Sequence, residues 1–183
     1  MNLKNNCRPV LAGLLLASLW APAWAADPGK SLTLFEAMKG TVAPQTQVIW
    51  DITNAAQDDI GNVKAGALKP ADWAKIARAA RDSNRAVRNL LAQPRVIAAP
   101  PGKKIQDEGT AGAFGAREVQ QTIDANPAAF AAFANQLVGA MNGIVAASKT
   151  QDAAKVGSLA GQLDGLCEAC HKAFWYPQQA ARK

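Results

Sequence analysis

The chain has 183 residues, about half of them apolar, with 20 Lys and Arg against 14 Asp and Glu, one His and three Cys. That length holds one domain with a real core and is short for two. The net charge of +6 is spread along the chain without a dense basic tract, which argues against a nucleic-acid partner. Alanine dominates the apolar share, and Val, Ile and Thr never form alternating runs, so helices are expected rather than strands.

The first stretch reads as a secretory signal. Lys4 and Arg8 precede the apolar run VLAGLLLASLW, and A-P-A-W-A follows. A positive start, a short apolar stretch and an A-x-A exit predict cleavage after Ala25. The expected layout is a signal at 1–25 and one domain at 26–183, exported to the periplasm. An uncleaved anchor is the alternative. Cys7 leaves with the signal, so the mature chain keeps Cys167 and Cys170, and Lys plus Arg falls from 20 to 18 against 14 acids, a net +4. No later stretch is expected to cross a membrane.

Four amphipathic segments follow. The first runs from about Thr33 to Ala56, with Thr33 and Glu36 as a capping box and Phe35, Met38, Val42, Ile49 and Ile52 as its apolar stripe. Pro44 interrupts it, predicting either a kink or a fresh start. The second runs from Pro70 to about Ala92, with Trp73, Ile76, Ala80, Val87 and Leu91 on one face. Its row Arg78, Arg81, Arg85 and Arg88 reads as a solvated side. A long Pro- and Gly-rich connection from Gln93 to Asp124 is too broken for a core helix, though a short helical turn is expected near Arg117. Its length suggests that it crosses the bundle or covers something. The third segment opens at Asn126-Pro127 and shows Phe130, Phe133, Leu137, Met141 and Ile144. The fourth starts at Asp152 and carries Val156, Leu159, Leu163, Leu166 and Cys170 until Pro177. Four stripes bury best against one another, so the expected fold is all-α, an antiparallel four-helix bundle with a long connection between helices 2 and 3.

Near the end stands C-E-A-C-H, Cys167 to His171, which holds the single His of the chain. Four chemistries compete for it. A closed zinc site needs four ligands, and the mature chain has three Cys or His. A redox dithiol uses a thiolate at a helix N-terminus, whereas these cysteines fall near a helix C-terminus. A disulfide between them would close only one turn. Covalent haem c uses the whole pattern: two thioether bonds from the cysteines, and an axial imidazole adjacent to the tether.

C-E-A-C-H close to the C-terminus of a four-helix exported chain resembles the class II c-type cytochromes, the cytochrome c prime family. The resemblance is close at Cys167–His171 and loose elsewhere. Phe174-Trp175 stands where that family commonly has an aromatic and a basic residue, so the basic residue's role does not carry over. The implied protein binds one covalent haem c, with His171 as proximal axial ligand. An up-down-up-down order places Phe35, Met38, Val42, Leu90, Leu91, Phe130 and Phe133 around the haem, with Trp175 and Tyr176 over its edge and Met141 at the far end. Met38 is then the candidate distal ligand. If it binds iron, the protein is a single-electron carrier serving periplasmic redox partners. If it only packs, a five-coordinate iron binds NO or CO. A haem-free helical interaction domain is the third reading. No catalytic turnover, nucleic-acid partner or stable membrane insertion is expected, and a homodimer stays open. Arg85, Arg88 and Arg95 are candidates for a haem propionate, against plain solvation. Lys39 and Lys172 are candidates for a docking patch.

Overall fold

The computed structural model describes residues 31–177. The expected signal at 1–25 lies outside the described residues. Five helices and no strand build the described chain: α1 (34–55), α2 (Pro70–Leu91), α3 (Ala116–Ala125), α4 (Pro127–Thr150) and α5 (Ala153–Phe174). Helix α2 packs most extensively on α4, α4 on α5, and α1 on α2, while α1 also touches α5.

The caps follow the sequence. Thr33 Oγ1 accepts from the Glu36 N–H at 3.2 Å, and the Glu36 carboxylate accepts from the Thr33 N–H at 3.1 Å. Asp152 Oδ1 accepts from the Lys155 N–H at 2.9 Å at the start of α5. Pro70 and Pro127 occupy first-turn positions, where a missing N–H costs nothing.

At Pro44 the α-helix makes a fresh start, with the proline in the first turn of the stretch Ala43–Ala55, and the helix is continuous across it. A π-helical turn, Met38–Val42, joins the α-helical pieces Leu34–Ala37 and Ala43–Ala55. Pro44 has no N–H for the Gly40 carbonyl, and the Ala43 N–H reaches back five residues to Met38. The extra residue rephases the helix. Ala37 is 2% exposed and Val42 1%, five positions apart, a step that an unbroken α-helix would turn by about 140°. Phe35 and Met38 are therefore half-buried flanks beside Ala37, where the sequence stripe expected them at its centre.

Two apolar clusters fill the interior. One gathers Ile49, Trp73, Ile76, Met141, Ile144, Val156 and Leu163. The other gathers Val42, Val87, Leu90, Ile123, Phe130, Val138 and Phe174. The second thus joins the start of α1, the end of α2, the start of α4 and the end of α5. Met141 sits in the first cluster, away from the Cys167–His171 segment. Trp73 is a core residue, and Trp50 is half-buried with its indole N–H donating to the Ala160 carbonyl at 2.9 Å. The four arginines of the α2 row are exposed.

Two expectations need correction. The connection after α2 is shorter than it reads, because α3 forms a ten-residue helix with Val119 and Ile123 buried. In addition, α4 is long and apolar enough to cross a membrane by length and composition. Its apolarity comes largely from alanine, and its Phe130, Val138, Met141 and Ile144 are turned into the bundle.

Candidate functional site

The second cluster surrounds a cavity of about 750 Å³, within the size range of small-molecule and cofactor sites. All five helices, α3 through Val119, and the connection after α2 wall it. Helix α5 contributes Cys167, Cys170, His171 and Phe174, and α1 contributes Phe35, Met38 and Val42. Leu90 comes from α2, and Phe130 and Phe133 from α4. The connection after α2 adds Ala98, Lys103, Lys104 and Ile105. Trp175 and Tyr176 close the end beyond α5. Of the residues named from sequence as pocket residues, Phe35, Met38, Val42 and Phe130 share this wall with the Cys167–His171 segment. Leu91 does not line it. Consecutive helical residues point about 100° apart, so Leu90 is 2% exposed and faces the cavity while Leu91 packs half-buried on the outside of the cluster.

The walls are rigidly built. Phe174 meets Phe130 and Phe133 edge to face, with ring centroids 5.4 and 6.0 Å apart. Trp175 stands edge to face with the His171 ring at 5.2 Å and stacks on Tyr176 at 4.6 Å. The His171 carbonyl accepts from the Trp175 and Tyr176 N–H groups at 2.7 and 2.8 Å, which ends α5 just after the motif. The connection is tied across the mouth. The Leu34 and Phe35 N–H groups donate to the Ile97 and Ala98 carbonyls, and the Phe114 N–H donates to the Trp175 carbonyl. The Tyr176 hydroxyl donates to Asp107 Oδ2 at 2.5 Å.

Electrostatics suit a ligand set held neutral. Burial lowers the His171 pKa, keeping the imidazole lone pair available. Burial, and then Asp164, raises the Cys167 thiol. Burial, and then Cys167, pushes the Cys170 thiol up to about 11. A redox dithiol needs the opposite shift. No disulfide joins Cys167 and Cys170, and no group of three His, Cys, Asp or Glu among the described residues could hold a metal ion by itself. Zinc thus lacks a ligand set here. A large apolar cavity with two thiols, an imidazole and a thioether in its wall fits a haem macrocycle. The Trp175 Nε1–H, buried with no partner among the described residues, also lies in that wall.

A family model described as Cytochrome C' matches residues 60–175. The chain belongs to that family. It is a haem-binding c-type cytochrome, and proteins of the cytochrome c′ family are typically periplasmic. No curated protein and no solved structure matches the chain.

For this cytochrome, sequence reasoning missed the wall supplied by the connection. Lys103 and Lys104 carry no helical period, and only the unusual length of the segment signalled that it covers something. The arginine candidates point elsewhere. Arg85 pairs with Asp82, Arg88 donates to Asn84 Oδ1, and Arg95 forms a two-pronged pair with Asp124 at 2.5 and 3.0 Å. Lys39 lines the cavity, whereas Lys172 pairs with Glu168 on its own helix.

Proposed function

We propose that the protein is an exported, periplasmic cytochrome with one covalent haem c, carrying single electrons between redox proteins. The observation that supports this reading is the shared chamber: Cys167, Cys170, His171 and Met38 all line one apolar cavity. Cys167 and Cys170 offer two thioether attachment points on α5. His171, kept neutral by burial, offers its imidazole to the iron beside that tether. Met38 approaches from α1 and offers a soft sixth ligand, a pairing with His that raises the potential. When bound, the haem supplies one-electron chemistry by alternating between ferrous and ferric iron. The protein's part is to hold the ring, exclude water through Phe130, Phe133 and Phe174, and set the ligand field. This reading assigns the chain electron transfer and no catalytic turnover of its own. The pattern at residues 1–25 supports export.

The apolar wall of Phe35, Val42 and Phe133 favours a second reading. If Met38 only packs, as methionines in apolar clusters often do, the sixth position is open to NO or CO. Electronic spectra of the purified protein with and without CO separate the two. Electron transfer expects a low-spin spectrum with little CO response, and Met38→Ala turns it high-spin and CO-responsive. A high-spin, CO-responsive wild type, unchanged by Met38→Ala, removes Met38 from the ligand set and replaces the carrier by a gas-binding protein.

A further inference from the structure

We propose that Lys39, Lys103 and Lys104 form the subsite for the two propionate carboxylates of the haem, an inference that rests on the haem reading above. These three are the only Lys, Arg, Asp or Glu side chains in the cavity wall among the described residues. All three residues are exposed, which puts their ammonium groups at the mouth rather than in the apolar interior. Lys39 Nζ lies 5.6 Å and Lys103 Nζ 5.5 Å from the centroid of the same Phe35 ring, so two cations from separate segments converge on one stretch of rim. Among the described residues none of the three makes a salt bridge, whereas Arg85, Arg95, Arg117 and Lys172 all do.

Haem chemistry supplies the complement. The macrocycle is apolar, but its two propionates are ionised at neutral pH and need compensating charge or water. They lie on the edge away from the vinyl positions that form thioethers. Tethering the vinyl edge to Cys167 and Cys170 directs the carboxylate edge away from α5. The cations come from α1 and from the connection after α2, not from the helix that carries the cysteines. Lysine heads at a wet rim can bind carboxylates while their stems cover apolar surface. The rival occupant is the acidic surface of a redox partner. Three cations gathered about one cavity mouth, and belonging to its wall, fit two carboxylates of the bound group better than an extended protein face.

The test uses the holoprotein carrying Lys39→Gln, Lys103→Gln and Lys104→Gln together. Lys64→Gln, on the exposed connection between α1 and α2, is the control. Resonance Raman reads the propionate bending bands, and redox titration reads the midpoint potential. The triple variant is expected to shift those bands and to lower the potential by more than the control does, since losing nearby cations favours the more positive ferric state. Bands that stay in place, or a potential that falls no further than in the control, overturn the proposal. Bands unmoved alongside slower electron transfer to an acidic protein make the lysines a docking patch instead, which also overturns it. A wild-type protein without a haem absorption spectrum sinks the haem reading itself, and that is seen before any variant is made.

Discussion

Tyr176 is the only tyrosine of the chain, and its hydroxyl holds the connection to the end of α5 through Asp107. Asp107 adopts φ 60°, a left-handed conformation that Asp tolerates better than most residues. Burial, the hydrogen bond to Asp107 and its negative charge push the Tyr176 pKa up from 10.0 to about 12. The sign of the consequence is fixed by linkage. Between those values the unfolded tyrosine has lost its proton while the folded one keeps it, so stability falls as pH rises across that window. Tyr176→Phe is therefore expected to be less stable than wild type at pH 8 but to lose less on going to high pH, measured by urea unfolding at several pH values. Parallel pH profiles for the two proteins would show that the Tyr176–Asp107 contact does not hold in solution. The Cys167–His171 motif was legible at this scale because its residues are contiguous in sequence, and Cys167, Cys170 and His171 all line the cavity. The partner of Tyr176 was not, since Asp107 lies 69 residues away in a segment without periodicity.

At the scale of elements, α1 shows where reading by period succeeds and where it fails. Its start was legible from Thr33 and Glu36, and its interruption from Pro44. The π-turn before it was not, because a kink, a plain restart and a π-turn all answer a missing N–H. The π-turn has a consequence for the cavity. A regular α-helix extended backward from Val42 would put Met38 and Phe35 on the core face, into the space that the cavity occupies. The turn buries the small Ala37 between Phe35 and Met38, and all three line the cavity. Pro44→Ala restores the N–H and removes the ring that excludes regular α geometry. The expected outcome is a helix that relaxes toward α, a narrower cavity and a displaced Met38. In the holoprotein this reads as a changed spin-state balance, with little loss of stability because helix propensity improves. An unaltered electronic spectrum in Pro44→Ala would mean that the packing of Ala37 and Val42, rather than the proline, sets the turn. Helix α3 was underread for a related reason. Its two buried apolar residues, Val119 and Ile123, form too short a stripe to stand out from the glycines around it.

At the scale of the whole molecule, the four long helices were legible because each keeps its apolar period for several turns. Their chain order also brought Met38, Phe130 and Cys167–His171 toward one end, as expected from sequence. What sequence could not give was the division of the interior into two clusters with different tasks. One is solidly packed and holds the helices together; the other is hollow and surrounds the site. Leu137 is half-buried against both. This division predicts that stability and spectrum can be altered separately. Met141 is 0% exposed in the solid cluster, so Met141→Ala leaves a void among Ile49, Ile144 and Leu163 without touching the cavity wall. The expected cost is about 2–5 kcal/mol of unfolding free energy with the haem spectrum unchanged. Phe130 belongs to the hollow cluster and packs on Phe174, three residues after His171. Phe130→Ala costs about 3–5 kcal/mol and also opens the cavity to water, shifting the spectrum and the potential. Urea unfolding followed in parallel by far-UV circular dichroism and haem absorbance measures both quantities. If Met141→Ala moves the haem bands as far as Phe130→Ala does, the interior responds as one unit. Leu137 then transmits strain between its halves, and the solid cluster is part of the site's support rather than independent of it.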